Sequence, residues 1–134
     1  MSGLRRDVVI LSCAVSAGIH GALAPAHFAE SAGAGLGFVA STILLAGLAF
    51  FLTVHPASSL PLAGAAIAFT GLLAAYVIAV TTGLPVLHPR PEPVDGLALA
   101  TKAFEFVGLA TSLNLLWGGS VLALGTPRPK GHLT

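Results

Sequence analysis

His20, His27 and His88, with Glu92 and Glu105, are the side chains of this chain best suited to hold a ligand or a metal ion. Imidazole and carboxylate groups suit Zn²⁺ or Cu²⁺. A single Met and a single Cys leave little for a soft Cu(I) site. The histidine spacing matches no established metal motif, so the metal is an expectation of chemistry type alone. Tyr76, Lys102 and Asp95 are the polar groups placed to support such a cluster. His20 shares a helical face with Ser16 and Cys13 in an otherwise apolar stretch. The plain reading of a lone histidine there is a hydrogen-bonded core side chain. Ionisable groups inside a membrane span are nonetheless costly to bury and mark candidate sites by default. A buried tyrosine needs a partner for its hydroxyl, and a hydrogen bond from Tyr76 to His20 or Glu105 would supply one without any ligand.

Catalytic signatures are missing. The chain contains no GxSxG, Walker A, HExxH, CxxC or CxxCH. Gly33, Gly35 and Gly37 open an apolar helix and follow no strand, which excludes a nucleotide loop. A bis-histidine haem needs two deep facing histidines, and only His20 is deep. A net charge of +1 gives no electrostatic case for nucleic acid. Cys13 lies alone in an apolar run, so it forms no internal disulfide and says nothing of redox compartment. The reading is of a chain more plausibly non-enzymatic than enzymatic.

The elements that must position these residues are apolar. Hydrophobic residues make up 55% and charged residues 8% of the 134 residues, with a mean hydropathy of +0.93. A soluble domain would carry about 25% charged residues to cover its surface; here most of that surface must face lipid. Four apolar runs are long enough to span, at about residues 8–24, 33–54, 60–82 and 96–124 of a single domain covering 1–134. A helix needs about 20 residues to cross a hydrocarbon core of about 30 Å. Barrel-type alternation is absent, so helices are the spanning elements. Arg5-Arg6 before the first run, Ala22-Leu23-Ala24 at its end and Ile10-Leu11-Ser12-Cys13 within it faintly resemble export or lipidation signals. Pro25 directly after Ala24, and the short apolar stretch before Cys13, favour a retained membrane helix.

The expected fold is an all-α four-helix transmembrane bundle of two hairpins. Arg5, Arg6, Arg128 and Lys130 flank the outermost runs, so the positive-inside rule puts both termini on the cytoplasmic side. Glu30, Glu92, Asp95 and Glu105, with His20, His27 and His88, then gather toward the outer face. Ser58 or Ser59 is the expected cap of helix 3, with Pro61 in its first turn, and Asp95 the expected cap of helix 4. Small residues are striped at helical spacing: Ala14, Gly18 and Ala22, with Cys13, Ala17 and Gly21 beside them, and Gly64, Ala68, Gly71 and Ala75. Such stripes permit close packing within a bundle or across a dimer. Ser112 and Asn114 read as interhelical hydrogen-bonding groups. Prolines 89, 91 and 93 stiffen the third loop into an extended cover. A proline–histidine–acid run follows helix 1 (Pro25, His27, Glu30) and helix 3 (Pro85, His88, Glu92), which hints at duplicated hairpins.

Lys102 and Glu105 lie three apart and can pair; their depth decides what the pair means. If the fourth span ends at Gly125, the pair sits near the outer headgroups as an interfacial anchor. If it ends at Gly118-Gly119, with Trp117 at the aromatic belt, the pair is buried. The apolar stretch from Val121 to Leu124 favours the shallow register.

Gly18-Ile19-His20 followed by Ala24-Pro25-Ala26-His27-Phe28-Ala29-Glu30, then Thr81-Thr82-Gly83-Leu84-Pro85 and Leu99-Ala100-Thr101-Lys102-Ala103-Phe104-Glu105, resembles small uncharacterised four-span membrane proteins of actinobacterial type. The resemblance covers about residues 8–115. It implies a four-span fold in a bacterial cytoplasmic membrane and no particular activity. Ala26 stands where that family often has an acid, which weakens a ligand role for the first loop.

Three functions fit these features. The leading expectation is a non-enzymatic accessory or interacting membrane subunit, in a homo-oligomer or a larger membrane complex, whose polar outer cluster is structural. The second is a small-ligand or metal-binding membrane protein built on His20, His27, His88, Glu92 and Glu105. The third is an oligomeric proton-coupled or small-solute transporter.

Overall fold

The computed structural model describes residues 2–84 and 91–124. It consists of four helices: α1 (Ser2–Glu30), α2 (Ala32–Val54), α3 (Leu60–Thr81) and α4 (Gly96–Leu124), with no strand among the described residues. All four are long and apolar enough to cross a membrane. The protein is therefore an all-α, four-helix, multi-pass membrane protein. His88 and Pro89, with the rest of residues 85–90, and the basic residues Arg128 and Lys130 lie outside the described residues.

α1 differs most from expectation. It begins at Ser2 and runs on through Pro25 to Glu30, so the expected first loop is reduced to Ser31. Pro25 has no N–H to give the Gly21 carbonyl, but membrane helices tolerate that single loss. Ser31 then serves both helices. Its N–H donates to the His27 carbonyl (2.9 Å), and its hydroxyl accepts from the Ala34 N–H (3.0 Å) as the cap of α2. Of the two hairpin ends expected to repeat, residues 25–30 are helical, and the second (Pro85, His88 and Glu92) lies outside the described residues apart from Glu92. At the other caps, Asp95 accepts from the Ala98 N–H (2.7 Å). Ser58, not Ser59, supplies a hydroxyl to the start of α3, accepting from the Leu60 N–H (3.3 Å). α3 stops at Gly83, whose φ of 75° lets its N–H fold back onto the Ile78 carbonyl.

Neighbouring helices run antiparallel. α1 packs most extensively on α2 and α4, α3 packs on α4, and α2 meets α3 more sparingly. Pairings along the chain fix the register. Arg5 donates to Asn114 (2.7 Å) at one end of α1 and Ser16 donates to Glu105 (2.9 Å) farther along. Arg6 stitches the α2–α3 turn to α1, giving hydrogen bonds to the carbonyls of Leu52 (3.0 Å), His55 (2.7 Å) and Ser58 (3.3 Å). The Leu52 carbonyl is one of the last four of α2, which have no partner within the helix. The start of α1, the α2–α3 turn and the end of α4 thus share one end of the bundle, which we call the N-terminal end.

Polarity is inverted relative to a water-soluble bundle. Leu11, Leu36, Ile43, Phe50, Ile67 and Phe106 point outward, while Ser12, Ser16, His20, Thr101, Glu105 and Ser112 are buried. The apolar core near the N-terminal end is formed by Val9, Cys13, Leu45, Leu52, Leu62, Ala65 and Phe69. Of the small-residue stripes on α1, Cys13 and Ala17 face inward, and Ala14, Gly18 and Ala22 face outward. At Gly108 the helices touch: a β-carbon there would run into the Phe69 ring and into Cβ of Ser12. Overpacking of this kind costs about 1–3 kcal/mol, so Gly108→Val should lower the melting temperature of the purified protein by several degrees. Replacing Arg6 with Met removes three charge-assisted hydrogen bonds. It should destabilise by about 1–2 kcal/mol in a reversible denaturation series.

Candidate functional site

The buried carboxylate of Glu105 lies at the centre of the polar residues. Its side chain is 0% exposed. Lys102, one turn earlier on α4, donates to Oε2 at 2.7 Å, and the hydroxyl of Ser16 donates to Oε1 at 2.9 Å. Nε2 of His20 stands 3.9 Å from the same Oε1. His20 is oriented by its own helix: Nδ1 lies 2.8 Å from the Ser16 carbonyl and 3.3 Å from its hydroxyl. Only a donor bonds a carbonyl, so Nδ1 carries the proton and Nε2 is turned toward Glu105. The pair is buried within the bundle, a property separate from its depth in the bilayer. It is enclosed, because α1 and α4 close face to face across it.

Beside this network lies a cavity of about 270 Å³, reached by all four helices. Its floor carries His20, Lys102 and Tyr76; its walls include Phe38, Ser41 and Leu72; Glu92 and Asp95 stand among the residues at its mouth. Aromatic rings line it closely. His27 stacks on Phe38 with centroids 3.6 Å apart and planes at 20°, and the His20 ring lies 5.2 Å from the same Phe38, tilted by 40°. The Lys102 ammonium sits 5.4 Å from the centre of the Tyr76 ring, within cation–π range. The Tyr76 hydroxyl is buried with no hydrogen-bond partner among the described residues. It does not bond His20 or Glu105, contrary to the expectation of a self-contained polar cluster.

Of the residues singled out in the sequence, His20, Lys102 and Tyr76 line this floor with Glu105 behind Lys102, and His27, Glu92 and Asp95 line the same cavity nearer the loops. The Glu92 N–H donates to the Ala79 carbonyl (3.0 Å), which ties the loop over the end of α3. His27 donates from Nδ1 to the Leu23 carbonyl (2.9 Å). Among the described residues no three His, Cys, Asp or Glu side chains gather as metal ligands, and Glu105 already accepts from Lys102 and Ser16. Ser16 and Phe38 are the participants that a residue-type search passes over. The four-residue step from Ser16 to His20 was the signal for the first; an isolated Phe among glycines gave almost none for the second.

The fold and site define a multi-pass membrane protein with a polar-floored cavity between its helices. Comparison with protein-family models, with curated proteins and with solved structures finds no match.

Removing one partner of a buried ion pair costs about 3–5 kcal/mol, whereas replacing both with apolar groups is often neutral. Glu105→Ala, which strands the Lys102 ammonium, should therefore destabilise strongly. The double variant Lys102→Met/Glu105→Leu should recover most of that loss, with thermal unfolding of the purified chains as the measurement.

Proposed function

We propose that this is a small-ligand-binding membrane protein whose site is the cavity between the four helices. One observation carries the reading: the Tyr76 hydroxyl is buried without a hydrogen-bond partner among the described residues, and Tyr76, Lys102 and His20 line one cavity. A buried hydroxyl left unsatisfied costs about 1–3 kcal/mol, and a ligand oxygen at the floor would recover that cost. A closed structural cluster, as an accessory-subunit role requires, would leave neither the space nor the orphan. The enclosed position of the cavity within the apolar spans suits an occupant that is itself largely apolar. Association with further copies or with a larger complex is compatible with this role but has no separate support.

By the positive-inside rule, Arg5 and Arg6 favour a cytoplasmic N-terminal end, with the mouth of the cavity on the opposite side. The resemblance to four-span actinobacterial-type proteins supports a bacterial cytoplasmic membrane as its place.

Native mass spectrometry of the chain released from mild detergent tests the binding role. One small molecule per chain is the expected adduct. Ala75→Phe, which fills the cavity from α3, should lose the adduct while keeping its helical circular dichroism. A bare chain, with the wild type and Ala75→Phe equally stable in lipid extract, would contradict the role.

A further inference from the structure

The chemistry of the floor and the packing of α2 against α3 narrow the ligand class; the inference rests on the binding role proposed above. The fixed charges at the floor cancel, since Lys102 is already paired with Glu105 at 2.7 Å. An anionic head would meet Glu105 behind Lys102 and the acids Glu92 and Asp95 at the mouth. A cationic head would meet the Lys102 ammonium. An uncharged head avoids both penalties. The groups presented are chiefly donors, the Tyr76 O–H and the Lys102 N–H groups not spent on Glu105, so the head needs an accepting oxygen. Phe38, His27 and Tyr76 border the space with aromatic surface not spent on the His27–Phe38 stack, which favours a ring-shaped head over a branched one.

Size supplies the second half. About 270 Å³ falls just below the usual range for ligand pockets, about 300–1,000 Å³, so a long tail has to leave. α2 and α3 close on each other only toward the N-terminal end. There Leu48 lies against Gly64, and Leu45 and Leu52 share a core with Leu62 and Phe69. At the level of the cavity, Gly37, Phe38 and Ser41 of α2 and Leu72, Ala75 and Tyr76 of α3 line the space and are only half-buried. That seam faces the bilayer.

We infer that the cavity takes the head of an uncharged, carbonyl-bearing ring amphiphile of the quinone class, held by Tyr76 and Lys102, with its apolar tail passing between α2 and α3 into the lipid.

The test uses the full chain in phosphatidylcholine nanodiscs, titrated with a benzoquinone carrying one prenyl unit, with oleate and with a long-chain amine. The quinone should raise the melting temperature saturably, and oleate and the amine should not. Tyr76→Phe should weaken quinone binding about five- to tenfold, as expected for one hydrogen bond. Gly37→Trp, which obstructs the seam, should weaken the prenylated quinone at least tenfold while leaving a tail-less benzoquinone within about threefold, the difference that tail exit requires. Ile43→Trp, on the lipid face of α2, should change neither. Saturable binding of oleate or the amine but not the quinone would overturn the ligand class and leave the binding role standing. Equal thermal shifts in the wild type and Ala75→Phe for every probe would overturn both. Equal weakening of both quinones by Gly37→Trp would overturn the tail path.

Discussion

A carboxylate with no exposed surface, inside a bundle of apolar helices, has to be neutralised and hydrogen-bonded where it stands. In a low-dielectric interior an unpaired charge costs several kcal/mol or more. Glu105 meets the requirement from two helices: Lys102 on its own and Ser16 on α1. The bond to Ser16 is therefore a register lock. Sliding α1 against α4 by one turn would leave Oε1 of the buried carboxylate without the Ser16 hydroxyl. The same residue, Ser16, turns its carbonyl to His20 Nδ1 and so fixes how the imidazole faces the site.

The rest of the bundle is arranged around that lock. At the N-terminal end Arg5 reaches Asn114 and Arg6 gathers the carbonyls of the α2–α3 turn, so α1 is fastened to both neighbours. Phe69 against Gly108 seats α3 on α4. α2 and α3, joined by a short turn, come together near that turn and have less to hold them farther away. The cavity follows from this geometry. Three seams are closed by small residues or polar bonds, and the fourth is closed at one end only.

Two kinds of polar group in the cavity behave differently. The Lys102–Glu105 pair is complete in itself and leaves the floor without net charge. Tyr76 is incomplete, with its ring near the ammonium and its hydroxyl unmatched. The balanced pair makes burial tolerable, and the unmatched hydroxyl is what gives the proposed site something to recognise. The aromatic surface of Phe38 and His27 adds shape without charge.

Four spanning helices, their approximate limits and the cap at Asp95 were legible in the sequence, because the length and uniform hydrophobicity of a membrane span are local properties. The extension of α1 through Pro25 was not. Proline and a loop-like run of small residues signal an ending in water, but a membrane helix carries a proline at the loss of one hydrogen bond. Residue types were enough to nominate His20, Tyr76, Lys102 and Glu105. Their meaning was not, since depth along a helix is ambiguous when the apolar run is longer than the bilayer. Burial of Glu105, the orphaned hydroxyl of Tyr76 and the half-open seam between α2 and α3 depend on which faces of different helices meet. That is set by the register that Ser16 and Glu105 impose across 89 residues of chain. Composition determines that the chain enters the membrane; the pairing of one hydroxyl with one buried carboxylate decides where it leaves a space.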